Sequence, residues 1–283
     1  MLDFKKYDSK KIGILGLGMT GQSIFNSLSQ SKAEIFLWDD NVSIREKSLY
    51  CHEKIKNIND WPWERLDYFF PSPGVDLKKN FYSEKLKKYK TKLMSDISLF
   101  EEARGSVFPS GTLIAITGTN GKSSTAIMLY EILKSEGRDV RLGGNIGIPI
   151  LSLEPGTNQT IYIVEISSFQ IELTENIKPE IAVLLNISED HLDRHSSIEE
   201  YRDIKSRIFK NQNIDNFSII SNEDEQTNFV SKMNFVSKKI ILKKSKNLDD
   251  KNYYFKNLNI IRRILKILNV PDISVERGIK NFK

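Results

Sequence analysis

A loop of small residues with one lysine, at residues 117–124, offers the clearest chemistry in this chain. It reads Thr-Gly-Thr-Asn-Gly-Lys-Ser-Ser and stands between the apolar run 113–116 and a helical stretch. Such a loop lets backbone N–H groups approach a phosphate chain, and the following helix points its positive N-terminus at the same charge. Lys122 can reach the outer phosphates, and the Ser123 hydroxyl can bind Mg²⁺.

This loop departs from the general P-loop pattern, because Ile116 stands where the first glycine would be. A glycine-rich strand-to-helix turn would explain the glycines but not Gly-Lys-Ser at the helix entrance. The pattern therefore predicts a nucleoside-triphosphate site. The predicted phosphate-binding residues are Gly118, Thr119, Asn120, Gly121, Lys122, Ser123 and Ser124.

Polar residues follow two further apolar runs of strand length, 161–166 and 181–187. Glu165 ends the first run, and Glu-Asp-His-Leu-Asp-Arg-His at 189–195 follows the second. Carboxyl ends of parallel strands share one edge of a sheet, where ligands bind. Glu165 is interpreted either as a Mg²⁺ ligand or as a strand-end charge that reaches solvent. A histidine among three carboxylates favours a metal or phosphate site.

Lys205 falls inside an apolar helix face. Ser197-x-x-Glu200 is a capping-box pattern, and the helix that it opens has an apolar stripe. The stripe consists of Ile198, Tyr201, Ile204, Ile208 and Phe209. Lys205 either extends its ammonium to the edge of that face or is held in the site, where desolvation would lower its pKa and leave a reactive neutral amine.

A second glycine motif, Gly16-Leu-Gly-Met-Thr-Gly21, follows the strand predicted at 11–15, with Asp39-Asp40 just after the next predicted strand. This spacing is typical of NAD binding but suits any ligand that carries a pyrophosphate. Pro71-Ser-Pro-Gly74 stops another predicted strand. By itself it reads as a plain turn at the ligand-binding edge.

Composition limits the class of protein. A chain of 283 residues allows about two domains, and no apolar run reaches the length of a membrane span. The first residues do not resemble a signal peptide, and the single cysteine, Cys51, fits a reducing cytoplasm. A net charge of +5 suits anionic ligands, but no basic-aromatic stretch predicts nucleic-acid binding. A turn-rich junction at 106–111 divides the chain into 1–104 and 105–283. A last helix is predicted over 258–268.

Taken together, these motifs resemble the Mur ligase family of ATP-dependent amide-bond-forming enzymes. The matching segments, in family order, are the phosphate loop, Gly143-Gly-Asn-Ile-Gly147, Glu165-Ile-Ser-Ser-Phe-Gln-Ile-Glu172, Asp190-His-Leu-Asp-Arg194 and Tyr201-Arg-Asp-Ile-Lys205. Within the family, Gly16–Gly21, Ser72-Pro-Gly74 and Ser95-Asp-Ile-Ser-Leu-Phe100 are most similar to the branch that adds D-glutamate to UDP-N-acetylmuramoyl-L-alanine.

The resemblance implies an α/β fold with a Rossmann-like UDP-substrate domain and a central P-loop ATPase-type domain. Relatives continue into a Gly-Leu-Pro-His-Arg-like segment and a third domain. This sequence stops at Phe282-Lys283, so we expect a chain truncated before that domain. A cytoplasmic monomer is expected, with no membrane partner.

The resemblance also implies site residues, one motif at a time. ATP and two Mg²⁺ ions are the expected cofactors, with Lys122 on the phosphates. The metal ligands implied are Ser123, Glu165, His191 and Lys205, the last as an N-carboxylated lysine; Lys122, His191 and Lys205 carry catalysis. The residues implied for the UDP-substrate are Thr20, Ser72, Pro73, Gly74, Asn145 and Ser167.

Two departures from the family pattern concern the bases. Asp40-Asn41 replaces a small-plus-basic pair near the uracil, and Phe255-Lys256 replaces His-Asn near the adenine, although Asn259 is kept. Three alternatives stay open: a sibling such as a folylpolyglutamate synthetase or another Mur ligase, a nucleotide-binding protein without ligase activity, and an NAD dehydrogenase. The last leaves the phosphate loop unexplained.

Overall fold

The computed structural model describes residues 4–47, 52–78, 80–104, 111–191, 194–243 and 257–282. Cys51, Asp193, Phe255-Lys256 and most of the 106–111 junction lie outside these ranges. The chain divides into two compact units. Unit 1 comprises Met1–Phe108 with Pro149–Ser152 and Leu173–Glu175, and unit 2 comprises the remaining residues. The two short additions to unit 1 have no counterpart in the sequence-based division after residue 104.

Unit 1 is a parallel sheet with the strand order β2-β1-β3-β4. Its strands are β1 (Lys11–Leu15), β2 (Glu34–Trp38), β3 (Tyr68–Pro71) and β4 (Lys92–Leu93). Its helices are α1 (Met19–Leu28), α2 (Val42–Lys47), α3 (Asn80–Tyr89) and α4 (Asp96–Ala103). The predicted strand at 11–15 is β1, and the next predicted strand, which ends before Asp39-Asp40, is β2.

Aromatic side chains fill one side of this sheet. Trp61 and Trp63 stack with ring centroids 5.8 Å apart, and both contact Phe69 of β3. Gly13 of β1 lies beneath them, and a Cβ there would come within 2.3 Å of the Trp61 ring. The glycine therefore makes room for an indole in the core.

The glycine loop between β1 and α1 depends on close backbone approach. Gly16 has a φ of +92°, a conformation that glycine adopts without penalty. Gly21, in the first turns of α1, packs against the Gly16 carbonyl, where an added Cβ would lie 1.8 Å from the oxygen. Two of the three motif glycines are thus required by geometry.

Unit 2 is a six-stranded parallel sheet with the order β10-β9-β8-β5-β7-β6. Its strands are β5 (Thr112–Thr117), β6 (Val140–Gly144), β7 (Ile161–Glu165), β8 (Ile181–Leu184), β9 (Phe217–Asn222) and β10 (Lys238–Lys243). Its helices are α5 (Lys122–Ser135), α6 (Ser168–Glu172), α7 (Ile198–Ser206), α8 (Glu225–Lys232), α9 (Leu258–Ile267) and α10 (Asp272–Asn281). Buried apolar strands such as β8 are expected for parallel strands covered on both faces.

The predicted last helix corresponds to α9, but the prediction that it ends the helical structure is wrong. Pro271 fixes the backbone just before α10, a position that proline favours. Both α9 and α10 contact α5. Ile261 and Ile264 of α9 are buried in the same core as Leu129 and Ile132 of α5. The helix after the phosphate loop is thereby fixed on its apolar side.

Among the described residues, no helix combines the length and apolar character needed to span a bilayer.

We predict that Gly21→Ala lowers the free energy of unfolding of unit 1 by about 1–3 kcal/mol, as is typical of overpacking. The matched control is Gly18→Ala in the same loop, because Gly18 has a φ of −66° and no atom lies within 4 Å of its Cβ position. Urea denaturation of both variants measures the difference. Equal stability of the two would contradict the packing argument.

Candidate nucleotide and metal site

Strand register brings the predicted unit 2 residues to one edge of the sheet. β5 pairs with β7 so that Ile116 faces Glu165, and β6 pairs with β7 so that Gly144 faces Glu165. On the other side of β5, Thr117 faces Leu184. The chain leaves β5 toward one half of the sheet and returns to β8 in the other half, so the loop after β5 lies at a switch point where α/β proteins bind ligands.

One asparagine, Asn186, forms three hydrogen bonds with the phosphate loop. Gly121, which precedes α5, has a φ of +81°. The Thr119 N–H donates to the Asn186 carbonyl at 2.9 Å, and the Asn120 N–H donates to the Asn186 side chain at 2.8 Å. The Asn186 amide in turn donates to the Asn120 carbonyl at 2.9 Å. Sequence reasoning missed Asn186, although its place after β8 was a signal.

Glu165 accepts hydrogen bonds from two other predicted site residues, Ser123 and Asn145. Its carboxylate is buried at 2% exposure and accepts from the Ser123 hydroxyl at 2.7 Å and from the Asn145 amide at 2.9 Å. The alternative of a strand-end charge that reaches solvent is therefore wrong. A hydroxyl and a carboxylate in contact at a helix N-terminus are a suitable pair of oxygen ligands for Mg²⁺.

Two lysines lie close to this carboxylate. The Lys122 ammonium donates to the Thr119 carbonyl at 2.8 Å, and the Lys205 ammonium donates to the Gly118 carbonyl at 2.9 Å. Lys205 is only 1% exposed, so its ammonium does not extend to solvent. Its place in the site as a reactive amine stays a prediction.

Burial lowers the pKa of both lysines. For Lys122 desolvation is the main cause, and the Glu165 and Asp190 charges oppose it. Desolvation and, to a smaller extent, the Lys122 charge lower the pKa of Lys205 to about 7, against the same two carboxylates. Lys122, Lys205, Glu165 and Asp190 thus share one electrostatic environment.

The two histidines of the 189–195 segment have different surroundings. His191 has a side chain 46% exposed, a φ of +54°, and an Nε2 3.5 Å from the Asp190 carboxylate. His195 is fully buried, with its ring against Phe169 and Tyr201. The His191 ring is therefore accessible to a ligand and the His195 ring is not, and the role of His191 as a metal ligand stays a prediction.

The described residues contain no group of three or more His, Cys, Asp and Glu side chains arranged to hold a metal ion. The predicted ligand set includes only two residues of those types, Glu165 and His191, beside a serine and a lysine. A metal at this site would need further ligands beside Glu165 and His191, such as phosphate oxygens or a modified lysine.

The unit 1 candidates lie around the glycine loop. The Ser72 N–H donates to the Leu15 carbonyl at 2.7 Å, and its hydroxyl donates to the Gly16 carbonyl at 3.2 Å, which fixes the 72–74 turn beside the loop. Thr20 lies in the first turn of α1 and is half-buried. The Asp39 carboxylate accepts from the Leu17 N–H at 2.7 Å.

The remaining candidates have mixed positions. Ser167 is half-buried and its hydroxyl donates to the Gln170 side chain at 3.2 Å. Asn259 is exposed on α9, whereas Asn257 is buried and its amide lies 3.4 Å from the Gly121 carbonyl of the phosphate loop. Sequence reasoning singled out Asn259 and missed Asn257.

A phosphate loop at a sheet switch point, with a carboxylate and two lysines around it, defines a nucleotide-binding α/β protein. Comparison with known proteins gives the family. The model of the Mur ligase middle domain matches residues 116–277. The chain belongs to the Mur ligase family.

Three relatives are named UDP-N-acetylmuramoylalanine–D-glutamate ligase. The chain is 36% identical to that of Wolbachia pipientis over 215 residues, 75% of this chain and 41% of the relative. It is 35% identical to that of Caulobacter vibrioides over 229 residues, 79% and 49%. With the Sphingopyxis alaskensis protein it shares 31% identity over all of this chain and 67% of the relative. The chain thus spans about half the length of the first two.

Solved structures agree on the fold. The UDP-N-acetylmuramate:L-alanyl-gamma-D-glutamyl-meso-diaminopimelate ligase of Neisseria meningitides superposes with a TM-score of 0.63 at 12% identity, covering 97% of this chain and 98% of that chain. The UDP-N-acetylmuramate-alanine ligase of Thermotoga maritima gives 0.53 at 15% identity, covering 96% and 68%. The predicted α/β fold with Rossmann-like and P-loop-type units is confirmed.

We predict that Lys205 makes the stability of unit 2 rise with pH. Its pKa is about 7 in the folded chain and about 10.4 in an unfolded one. Between these pH values the unfolded state binds more protons, so raising the pH favours folding. Below pH 7 the lysine is charged in both states, and the folded state bears the full cost of a buried charge. Relative to Lys205→Met, the wild type should gain unfolding free energy between pH 6.5 and 9.5. Urea denaturation at both pH values measures this, and a difference that is independent of pH would contradict it.

Proposed function

We propose that this chain forms the UDP-substrate unit and the ATP unit of a ligase that adds D-glutamate to UDP-N-acetylmuramoyl-L-alanine in peptidoglycan precursor synthesis. The observation that carries the proposal is the contact of Ser123, at the start of α5, with the buried Glu165. This pair lies beside Lys122 and Lys205, in a chain of the Mur ligase family. The names of the relatives support the choice of amino acid.

Unit 2 is suited to hold ATP by its phosphates. Lys122 leaves the Thr119 carbonyl and contacts the outer phosphates, where its charge stabilises the phosphoryl group during transfer. The α5 N-terminus contributes a partial positive charge to the same oxygens. In the proposed reaction the alanyl carboxylate attacks the γ-phosphorus and releases ADP, and the amine of D-glutamate then displaces phosphate from the acyl phosphate.

Two Mg²⁺ ions are proposed, each with its own pair of protein ligands. Ser123 and Glu165 would hold the first, while His191 and Lys205 would hold the second. Bound Mg²⁺ supplies charge neutralisation on the phosphate oxygens. Burial favours the neutral amine of Lys205, and addition of CO₂ with loss of a proton would convert it to a carbamate anion. An anion there replaces a cation that would repel the metal.

Unit 1 is suited to a UDP-sugar rather than to NAD. In dinucleotide-binding folds the acid after the second strand binds the ribose hydroxyls. Here both Asp39 oxygens accept backbone hydrogen bonds, from Leu17 at 2.7 Å and from Asn41 at 2.8 Å. Thr20 and the 72–74 turn border the glycine loop and would contact the pyrophosphate and sugar, while Asn145 and Ser167 would contact the alanyl end. We further propose a cytoplasmic location and a monomer.

The function is tested by calorimetric titration of residues 1–283 with UDP-N-acetylmuramoyl-L-alanine and, separately, with NAD. We expect saturable binding of the UDP-substrate and none of NAD, because the glycine loop needs only a pyrophosphate and Asp39 is engaged. Saturable NAD binding that no UDP-sugar displaces would overturn the proposal.

Turnover is tested with labelled D-glutamate, Mg²⁺, ATP and the UDP-substrate. The acceptor amine must be held about 3–3.5 Å from the acyl phosphate. Because the matched part is 41–49% of two of the relatives, we expect residues outside it to contribute that positioning. Residues 1–283 alone should therefore bind substrate without multiple turnovers. Labelled dipeptide product at many turnovers would show that these residues suffice.

We predict that Lys122→Ala weakens Mg·ATP binding about 10- to 100-fold, since a hydrogen bond to a charged group is worth about 1.5–3 kcal/mol. Lys134→Ala is the matched control, because it removes the same charge from an exposed position in the last turn of the same helix. Competition with a fluorescent ATP analogue measures both. An equal loss in the two variants would indicate only a general charge effect.

A further inference from the structure

A continuous series of ring contacts connects the two residues proposed for the second Mg²⁺. The His191 and His195 rings both contact Phe169, with centroid distances of 4.9 and 5.4 Å. His195 also lies 5.2 Å from the Tyr201 ring, and the Lys205 ammonium lies 4.5 Å from the centre of that ring. The order of contacts is His191, Phe169, His195, Tyr201, Lys205, with His195 at the centre.

His195 is fixed more firmly than a ring in an ordinary apolar core. It is 0% exposed, and its ring plane makes an angle of 29° with the stacked Phe169 ring and of 34° with the tilted Tyr201 ring. Its Nε2 lies 3.0 Å from the Ser168 hydroxyl at the start of α6. Stacking and a hydrogen bond together leave the imidazole little freedom to rotate.

The backbone of His195 also holds the turn that presents His191. Its N–H donates to the His191 carbonyl at 2.9 Å, and the Arg194 N–H donates to the same oxygen at 3.0 Å. His191 itself has a φ of +54°, a left-handed conformation that non-glycine residues seldom adopt. Such a conformation persists only where the surroundings determine it, and here His195 supplies both a backbone and a ring constraint.

We propose that His195 is a positioning residue that sets the distance between His191 and Lys205, and with it the affinity for the second metal ion. This inference rests on the proposed function. His195 is fully buried and acts through Phe169 on His191 and through Tyr201 on Lys205. Groups that orient metal ligands typically change metal affinity 10- to 100-fold when they are replaced.

The first test needs no metal. The chain contains three histidines, so a protein labelled with ¹³C-histidine gives three sets of ring signals, and His191→Gln identifies one of them. In His195→Gln, which keeps a hydrogen-bonding group but loses the ring, the His191 signals should shift and broaden. In His195→Phe, which keeps a ring, they should move less. Unchanged His191 signals in His195→Gln would overturn the proposal.

The second test counts Mn²⁺ ions bound in the presence of saturating ATP, by electron paramagnetic resonance of the free ion. The second ion should bind at least fivefold more weakly to His195→Gln than to the wild type; a smaller loss overturns the inference. The control is Phe209→Leu, which removes a buried ring that contacts Phe235 and not the stack. It should lower stability and leave Mn²⁺ binding unchanged.

If His195→Gln does not fold, Phe169→Leu replaces it with the same threshold, because Phe169 is the ring shared by both histidines. The two proposals fail differently. A wild-type chain that binds no second Mn²⁺ overturns the two-ion site together with this inference. A wild type and a His195→Gln variant that bind both ions equally overturn the role of His195 alone.

Discussion

The burial of the Glu165 carboxylate is the constraint on which the unit 2 site depends. A carboxylate removed from water is costly unless its oxygens are hydrogen-bonded and opposite charges lie near. Ser123 and Asn145 each donate to one of those oxygens, which fixes the start of α5 and the end of β6 relative to β7. The same contacts keep the Glu165 oxygens and the Ser123 hydroxyl at the sheet edge, where both would hold a metal ion.

Two lysines, Lys122 and Lys205, lie near Glu165, and the charge of Lys122 also acts on Lys205. Lys122 and Lys205 each lower the cost of burying the carboxylates, but Lys122 also lowers the pKa of Lys205. The proposed roles follow this difference, with Lys122 as the phosphate contact and Lys205 as the lysine that would be modified.

In unit 1, close backbone packing fixes the glycine loop between β1 and α1. A Cβ on Gly21 would clash with the Gly16 carbonyl, and a Cβ on Gly16 would clash with Ser72. The Asp39 carboxylate accepts from the loop at Leu17. The Asp39 carboxylate thereby stabilises the loop. The same motif spacing that is typical of NAD binding is thereby compatible with a different pyrophosphate ligand.

The sequence by itself determined the elements and the ligand class. The loop 117–124, the strand lengths and the glycine spacings are local patterns, and local backbone preference decides them. Only the tertiary structure decided which side chains meet. Asn186 and Asn257 contact the phosphate loop from distant elements. His195 belongs to the 189–195 segment predicted to bind a metal or phosphate, but its ring packs in an aromatic stack. Lys205 is buried instead of extending to solvent. Such contacts depend on strand order and burial, and neither is encoded within the short windows in which a motif is read.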